Sequence, residues 1–190
     1  YYIPNNATAV LVGDVNTQEY LAKIEEWFGS IPAGEPVPPV NRPEPPQYGG
    51  RRVVVNREGE TAFVSVAYRA LEVTHPDFLT LTVLDSILAG ASSLNFMGTA
   101  DTSNKTSRLY RALVETELAA SIGGGMVATI DPYLYSVTAT VRDGRTPQEV
   151  EDAICAEIDS LRAGNISEEE FEKARKQAKA LFAYDSDSVS

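Results

Sequence analysis

The segment Thr106–Ala128, TSRLYRALVETELAASIGGGMVA, joins a short amphipathic helix to a strand and is the most distinctive part of this 190-residue chain. Leu109 and Leu113 are four residues apart and share one face of the predicted helix, with Tyr110 and Val114 beside them. The polar side chains are predicted on the opposite, solvent-facing side: Arg108, Arg111, Glu115 and Glu117. The pattern predicts a helix docked on a sheet.

Small residues follow this helix and predict a strand over Leu118–Ala128. They are Ala119, Ala120, Ser121 and Gly123–Gly125. Glycine inside a strand costs stability, so the run favours a place where another backbone or a partner domain approaches closely. A flexible rim is the alternative. In either case the strand is expected to tolerate valine at Gly124.

The order of these motifs resembles the M16 metallopeptidases, the relatives of insulinase, pitrilysin and mitochondrial processing peptidase. The matching motifs are Ser107-Arg108-Leu109-Tyr110, Leu113-Val114-Glu115 and Leu118-Ala119-Ala120-Ser121. Two further segments resemble the same family: Tyr1–Ala7 leading into Val12–Asp14, and Trp27–Gly29 leading into Ile31–Gly34. The resemblance covers nearly the whole chain. It implies that residues 1–190 form a single C-terminal-type α+β domain.

The composition is that of a globular domain, with 43% hydrophobic and 23% charged residues. The formal net charge of −11 argues against a nucleic acid partner, because binding to phosphates depends on lysine and arginine. No apolar run reaches the roughly 20 residues of a membrane helix, so no membrane partner is predicted. Cys155 is the only cysteine and is interpreted as a packing residue. Residues 1–6 have no signal-peptide pattern, and we expect a piece of a longer protein.

The first third of the chain predicts a strand, a helix and a connector. Residues 7–12 are a continuous apolar run of strand length. Asn16 and Glu19 have capping-box spacing, and Gly29 ends the helix that they begin. The predicted buried side chains of this helix are Tyr20, Leu21, Ile24, Trp27 and Phe28. Pro32–Pro46 is rich in proline and predicts an extended surface connector.

The middle of the chain predicts a hairpin, a buried helix and a long loop. Residues 51–55 and 61–68 are β-branched and aromatic runs at hairpin spacing, with Gly59 in the loop. Pro76–Ala89 is apolar around most of its circumference, which predicts a helix that is buried on more than one side. Gly90–Lys105 is a polar loop that is longer than in the resembled family.

The last part predicts one more strand and two capped helices. Leu134–Arg142 alternates, with Tyr135, Val137, Ala139 and Val141 on one face. Thr146–Glu149 and Ser167–Glu170 both have helix-starting patterns. Taken together, the elements predict an α+β fold in which helices cover mainly one face of an antiparallel sheet.

The zinc motif of the peptide-cleaving M16 members, His-x-x-Glu-His with a further Glu downstream, is absent from this chain. His75 is the only histidine, and one imidazole does not build a three-ligand zinc site. Since it precedes Pro76 at the start of a predicted helix, His75 is interpreted as a surface or capping residue. The resemblance implies that zinc is bound in the parent protein by the preceding repeat, with none in this chain.

Other catalytic arrangements are equally poorly supported. A serine or cysteine nucleophile needs a base nearby, so Ser107, Ser121 and Cys155 are weak candidates in a chain with a single histidine. The glycine run lacks the Gly-Lys-Ser/Thr ending of a phosphate loop. No catalytic residue is therefore predicted.

Contact with a peptide substrate is the function that remains. The candidate residues are Arg108, Arg111, Gly123 and Gly124. Some relatives hold the substrate backbone through an Arg and a Tyr, and those positions here are Val114 and Ala120. The two arginines have the chemistry to meet a peptide carbonyl or carboxylate, but a solvated helix face is the favoured interpretation.

These patterns lead to one main hypothesis and two alternatives. The main one is a non-catalytic companion domain of a zinc-dependent M16 metalloendopeptidase that helps to enclose a peptide chamber. Its partners would be the preceding repeat with the zinc motif, a second M16 half and the peptide. The first alternative is a domain of a catalytically inactive, M16-like structural or docking subunit. The second is an unrelated α+β binding module.

Overall fold

The structure, a computed structural model, describes residues 1–39, 44–90 and 105–186. These residues form two compact units, residues 1–56 and the residues from Arg57 onward. None of the described helices is long and apolar enough to span a membrane. The centre of the predicted connector Pro32–Pro46 and nearly all of the predicted loop Gly90–Lys105 lie outside the described residues.

The first unit contains a 3-10 turn, Pro4–Asn6, and the helix α1, Thr17–Phe28. Asn16 caps α1 as predicted: its Oδ1 accepts hydrogen bonds from the backbone N–H groups of Gln18 and Glu19 at 3.1 and 3.3 Å. The Glu19 carboxylate pairs with Lys23 at 2.7 Å rather than closing a capping box. The described parts of the connector contain neither helix nor strand, as expected for a proline-rich segment.

Two predictions for the first unit are wrong. Residues 7–12 form no strand, and α1 buries none of its side chains, with Trp27 63% exposed. A β-branched run becomes a strand only where a neighbouring strand supplies hydrogen bonds and cover. In the same way, helical periodicity shows which side of α1 is apolar, but it does not show that another element packs on that side.

The second unit is built on an antiparallel sheet of three strands: β1 Phe63–Arg69, β2 Ala119–Met126 and β3 Leu134–Val141. β3 lies between β1 and β2, so that Val137 is paired with both Val66 and Gly124. The two successive strands predicted in this part of the chain are confirmed. The predicted hairpin is wrong, because residues 51–55 form no strand and β1 pairs with β3.

The described residues of the second unit also form three α-helices: α2 Phe78–Leu88, α3 Pro147–Arg162 and α4 Glu168–Ser186. α3 packs on β1 and β3, while α2 packs on β2 and on α4. The predicted alternation of β3 is confirmed, since Tyr135, Val137, Ala139 and Val141 are all buried. The α+β fold with an antiparallel sheet and helices is therefore as predicted.

The starts of α3 and α4 match their predicted caps. The Thr146 hydroxyl accepts from the backbone N–H of Glu149, and the Glu149 carboxylate accepts from the backbone N–H of Thr146 at 2.8 Å, which completes a capping box. These bonds from Thr146 hold the pKa of the Glu149 carboxyl below its usual value. At α4, Ser167 Oγ accepts from the backbone N–H of Glu170 at 3.2 Å.

The segment before β2 forms a π-helix at Tyr110–Val114 instead of the predicted regular helix. Leu109 and Leu113 are completely buried, as predicted. The turn after this helix is closed by a bond from the Leu118 backbone N–H to the Leu113 carbonyl at 2.9 Å. Glu117 then adopts a positive φ of 60°, and β2 begins two residues later. This tight join fixes where β2 starts.

Candidate functional site

The sheet face opposite the helices carries small, neutral side chains at its centre. We call this surface the open face, and its central residues are Ser65, Ala67, Gly123, Ser136 and Thr138. Thr138 is paired with both Ser65 and Gly123, and all three are exposed. Larger apolar residues stand only at the ends, where Phe63 and Leu134 are exposed. The centre therefore offers hydroxyl groups and a shallow, uncharged surface.

Gly123 and Gly124 lie on opposite faces of the sheet. A Cβ added at Gly123 would meet nothing within 4 Å. A Cβ at Gly124 would lie 2.7 Å from the Cβ of Ala89 and 3.4 Å from the Tyr135 hydroxyl oxygen. The chain's own Ala89, the residue directly after α2, thus makes the close approach on this side. The expectation that valine is tolerated at Gly124 is wrong.

Arg108 does not lie on a solvated helix face, contrary to the prediction. Its side chain is 12% exposed, and its Nε and Nη2 donate to the two carboxylate oxygens of Glu170 at 2.7 and 2.6 Å. It also donates to the carbonyl of Asn165 and, at 3.4 Å, to Ser160 Oγ. The hydrogen-bonded pair of Arg108 and Glu170 raises the pKa of Arg108 and holds the pKa of Glu170 below its usual value. Amphipathic spacing did not reveal a partner 62 positions further along the chain.

Arg111 remains accessible, as the helical pattern predicted. Its side chain is about half exposed, and its guanidinium lies 4.0 Å from Glu170. It lines a groove of about 760 Å³ between residues 105–115 and α4. Lys105 and Lys173 line the same groove, but so do Glu115 and Glu169. The charges are mixed, so the groove has no clear preference for an anion.

A buried polar pair that the sequence analysis did not identify lies behind Gly124. The Tyr135 hydroxyl donates to Asp85 Oδ1 at 2.8 Å, and both side chains are buried. Burial, with the Asp85 carboxylate next to it, raises the pKa of Tyr135. The pair borders an apolar cleft of about 330 Å³ between α2 and α3. The only sequence signal was an aspartate inside the apolar stretch Thr82–Leu88.

The described residues do not fit a zinc site. Among them, no three His, Cys, Asp or Glu side chains are grouped closely enough to hold a metal ion. His75 Nδ1 accepts from the backbone N–H of Asp77 at 3.1 Å, which caps the turn before α2 as predicted. Cys155 is partly buried in α3, and burial raises the pKa of its thiol.

Sequence comparison connects the chain with zinc proteases. Residues 1–178 match the family described as peptidase M16 inactive domain. Zinc protease PqqE of Helicobacter pylori is 26% identical over 194 residues, which cover 100% of this chain and 41% of PqqE. The uncharacterized zinc protease YmxG of Bacillus subtilis is 23% identical over 180 residues, covering 94% of this chain and 40% of YmxG. The chain thus spans about two fifths of the length of these relatives.

Solved structures agree with the sequence match. A protease from Helicobacter pylori has a TM-score of 0.84 at 26% identity, covering 99% of this chain and 43% of that one. An inactive peptidase domain from Bordetella parapertussis is 30% identical with a TM-score of 0.51, over 70% of this chain and 65% of that one. A conserved protein from Enterococcus faecalis, 19% identical over 93% of this chain and 38% of its own, shares the fold with a TM-score of 0.68. Because the family match extends over nearly the whole length and the fold agrees, the chain belongs to the peptidase M16 family, as its inactive domain.

Proposed function

We propose that this chain is the non-catalytic companion domain of a zinc-dependent M16 metalloendopeptidase and forms part of the wall around its peptide substrate. The observation that carries this proposal is the open face. Thr138, Ser65 and Gly123 are paired across the sheet and exposed. Such a surface lets an extended chain approach closely, and its hydroxyls hydrogen-bond to a main chain of any sequence.

The longer protein would supply the chemistry. Its zinc would be held by the preceding M16 repeat, and a second M16 half would close the chamber. The names of PqqE and YmxG as zinc proteases support this assignment, as does the share of their length that the chain spans. On this proposal residues 1–190 act as one domain.

The four candidate contact residues have different roles in the proposal. Gly123 lies on the open face and touches the peptide directly. Arg111 is accessible and would reach a peptide carbonyl or carboxylate from the groove beside α4. Gly124 and Arg108 do not touch the peptide in this proposal, because Ala89 and Glu170 occupy the space next to them. They support the sheet from the side opposite the open face.

Disulfide capture in the longer protein tests the proposal. A Gly123→Cys variant in a Cys155→Ser background would be mixed with a substrate peptide carrying an activated thiol. The matched control is Ala156→Cys, an exposed position on α3. We expect the peptide to be captured at position 123 and not at position 156. Capture at neither position, with peptide cleavage intact, would contradict a role of the open face.

A further inference from the structure

The Arg108 guanidinium is held inside the domain by bonds on all three of its nitrogens. Nε and Nη2 form a bidentate pair with Glu170, Nη2 also reaches the Asn165 carbonyl, and Nη1 reaches Ser160. Glu157 lies 3.9 Å from Nη1. An arginine with these bonds has few donors left to bind a peptide. Its role is therefore structural, in the parts of the domain that it holds together.

On one side, Arg108 holds the junction between α3 and α4. Ser160 is in the last turns of α3, Asn165 is in the connection, and Glu170 is in the first turn of α4. The junction is itself closed by a bond from the Asn165 backbone N–H to the Ser160 carbonyl at 3.2 Å. The Arg108 side chain therefore contacts the end of α3, the connection and the start of α4.

Arg108 is also connected to β2, because the short segment between them is closely held. Leu109 and Leu113 are completely buried, and the turn after the π-helix is closed by the bond from the Leu118 backbone N–H to the Leu113 carbonyl. The Leu118 carbonyl then accepts from the backbone N–H of Arg142 at 3.1 Å, which ties this point to the end of β3. A shift of Arg108 is thus transmitted to the first residues of β2.

We propose that Arg108, through its pair with Glu170, is a positioning residue that sets the place of β2 and so of Gly123 on the open face. The inference rests on the proposed function for its consequence in peptide binding. The planar guanidinium fixes both the distance and the orientation of its partner carboxylate, which a lysine ammonium does not. Arg111, 4.0 Å from Glu170, is the other cation near this carboxylate among the described residues.

Amide hydrogen exchange on the chain itself tests the positioning. The variant is Arg108→Lys, and the matched control is Arg175→Lys, whose guanidinium pairs with Glu172 at 2.7 Å on the exposed side of α4. In Arg108→Lys we expect residues 119–126 to exchange about tenfold faster or more, with β1 unchanged. In Arg175→Lys we expect no change in either strand. Equal acceleration of β1 and β2, or no acceleration of β2, would overturn the proposal.

A second variant keeps the test decisive if Arg108→Lys does not fold. Glu170→Gln keeps the size of the side chain and one acceptor but removes the charge, so it should accelerate β2 alone by a smaller factor. Its control is Glu172→Gln. If Glu170→Gln behaves like Glu172→Gln, the pair does not position β2.

The consequence for function is measured in the longer protein by combining Arg108→Lys with the Gly123→Cys capture assay. We expect capture to fall and KM for the peptide to rise about threefold or more while kcat is retained, because binding and not the zinc site is affected. Unchanged capture and KM would overturn the link to peptide. Failure of capture in the protein with Arg108 intact would instead refute the proposed function and leave the exchange result to stand separately.

Discussion

Replacing Gly124 with alanine should destabilise the second unit, while the same change at Gly123 should not. The new Cβ at position 124 would lie 2.7 Å from the Cβ of Ala89, closer than two carbons can approach, so α2 or β2 must shift. Overpacking of this kind costs about 1–3 kcal/mol. At position 123 the new Cβ meets nothing within 4 Å, and alanine is favoured over glycine inside a strand by about 0.5–1 kcal/mol. The same gain offsets part of the overpacking cost at position 124, so Gly124→Ala should be less stable than the native chain and Gly123→Ala more stable.

Urea denaturation followed by far-UV circular dichroism measures the difference, with amide exchange of β3 as a local check. Adding Ala89→Gly to Gly124→Ala should recover part of the loss, because it removes the atom that clashes. Equal stability of the two single variants, or no recovery in the double variant, would refute the placement of Gly124 against α2.

Three further predictions concern caps and buried pairs. Thr146→Ala should lower the free energy of unfolding by about 0.5–2 kcal/mol, since it removes one half of a capping box, and Thr146→Ser should restore most of the loss in the same urea assay. Tyr135→Phe should cost about 1–3 kcal/mol, because the buried hydrogen bond from its hydroxyl to the Asp85 carboxylate is lost; a loss below about 0.5 kcal/mol would show that this bond contributes little to stability. The pKa of Glu170 is lowered by Arg108, so the stability from this pair is complete above the unfolded carboxyl pKa of about 4.3 and declines as pH falls through the lower folded value. Glu170→Gln should remove that part of the acid dependence in a pH series, and an unchanged profile would contradict it.

Much of the second unit could be predicted from local patterns. The alternation in Leu134–Val141, the cap at Thr146 and the buried pair Leu109 and Leu113 each depend on spacings of two to four residues, which a sequence displays directly. The α+β fold follows from these elements because only one face of the sheet is apolar.

The features that were not predicted depend on contacts between distant residues. No residue near Arg108 in the sequence shows that Glu170 is its partner. The aspartate at position 85 indicates a buried hydrogen-bond acceptor but does not show that Tyr135 is the donor. The glycine run favoured a close approach by another backbone or a partner domain, and at Gly124 it is the chain's own Ala89 that lies close, because two successive positions of a strand face opposite ways. Which glycine meets α2 was therefore decided by the register of β2 against β3, with Gly124 on the helix side.

We propose that this domain is non-catalytic and belongs to a zinc peptidase whose metal lies elsewhere in the longer protein. Metal analysis after dialysis and a peptide-cleavage assay test this proposal when both are run on residues 1–190 and on the longer protein. We expect no stoichiometric zinc and no cleavage for residues 1–190, whereas the longer protein should hold zinc and lose activity on chelation. Absence of both in the longer protein would favour the structural or docking subunit instead. Stoichiometric zinc or peptide cleavage in residues 1–190 would contradict a non-catalytic, metal-free domain.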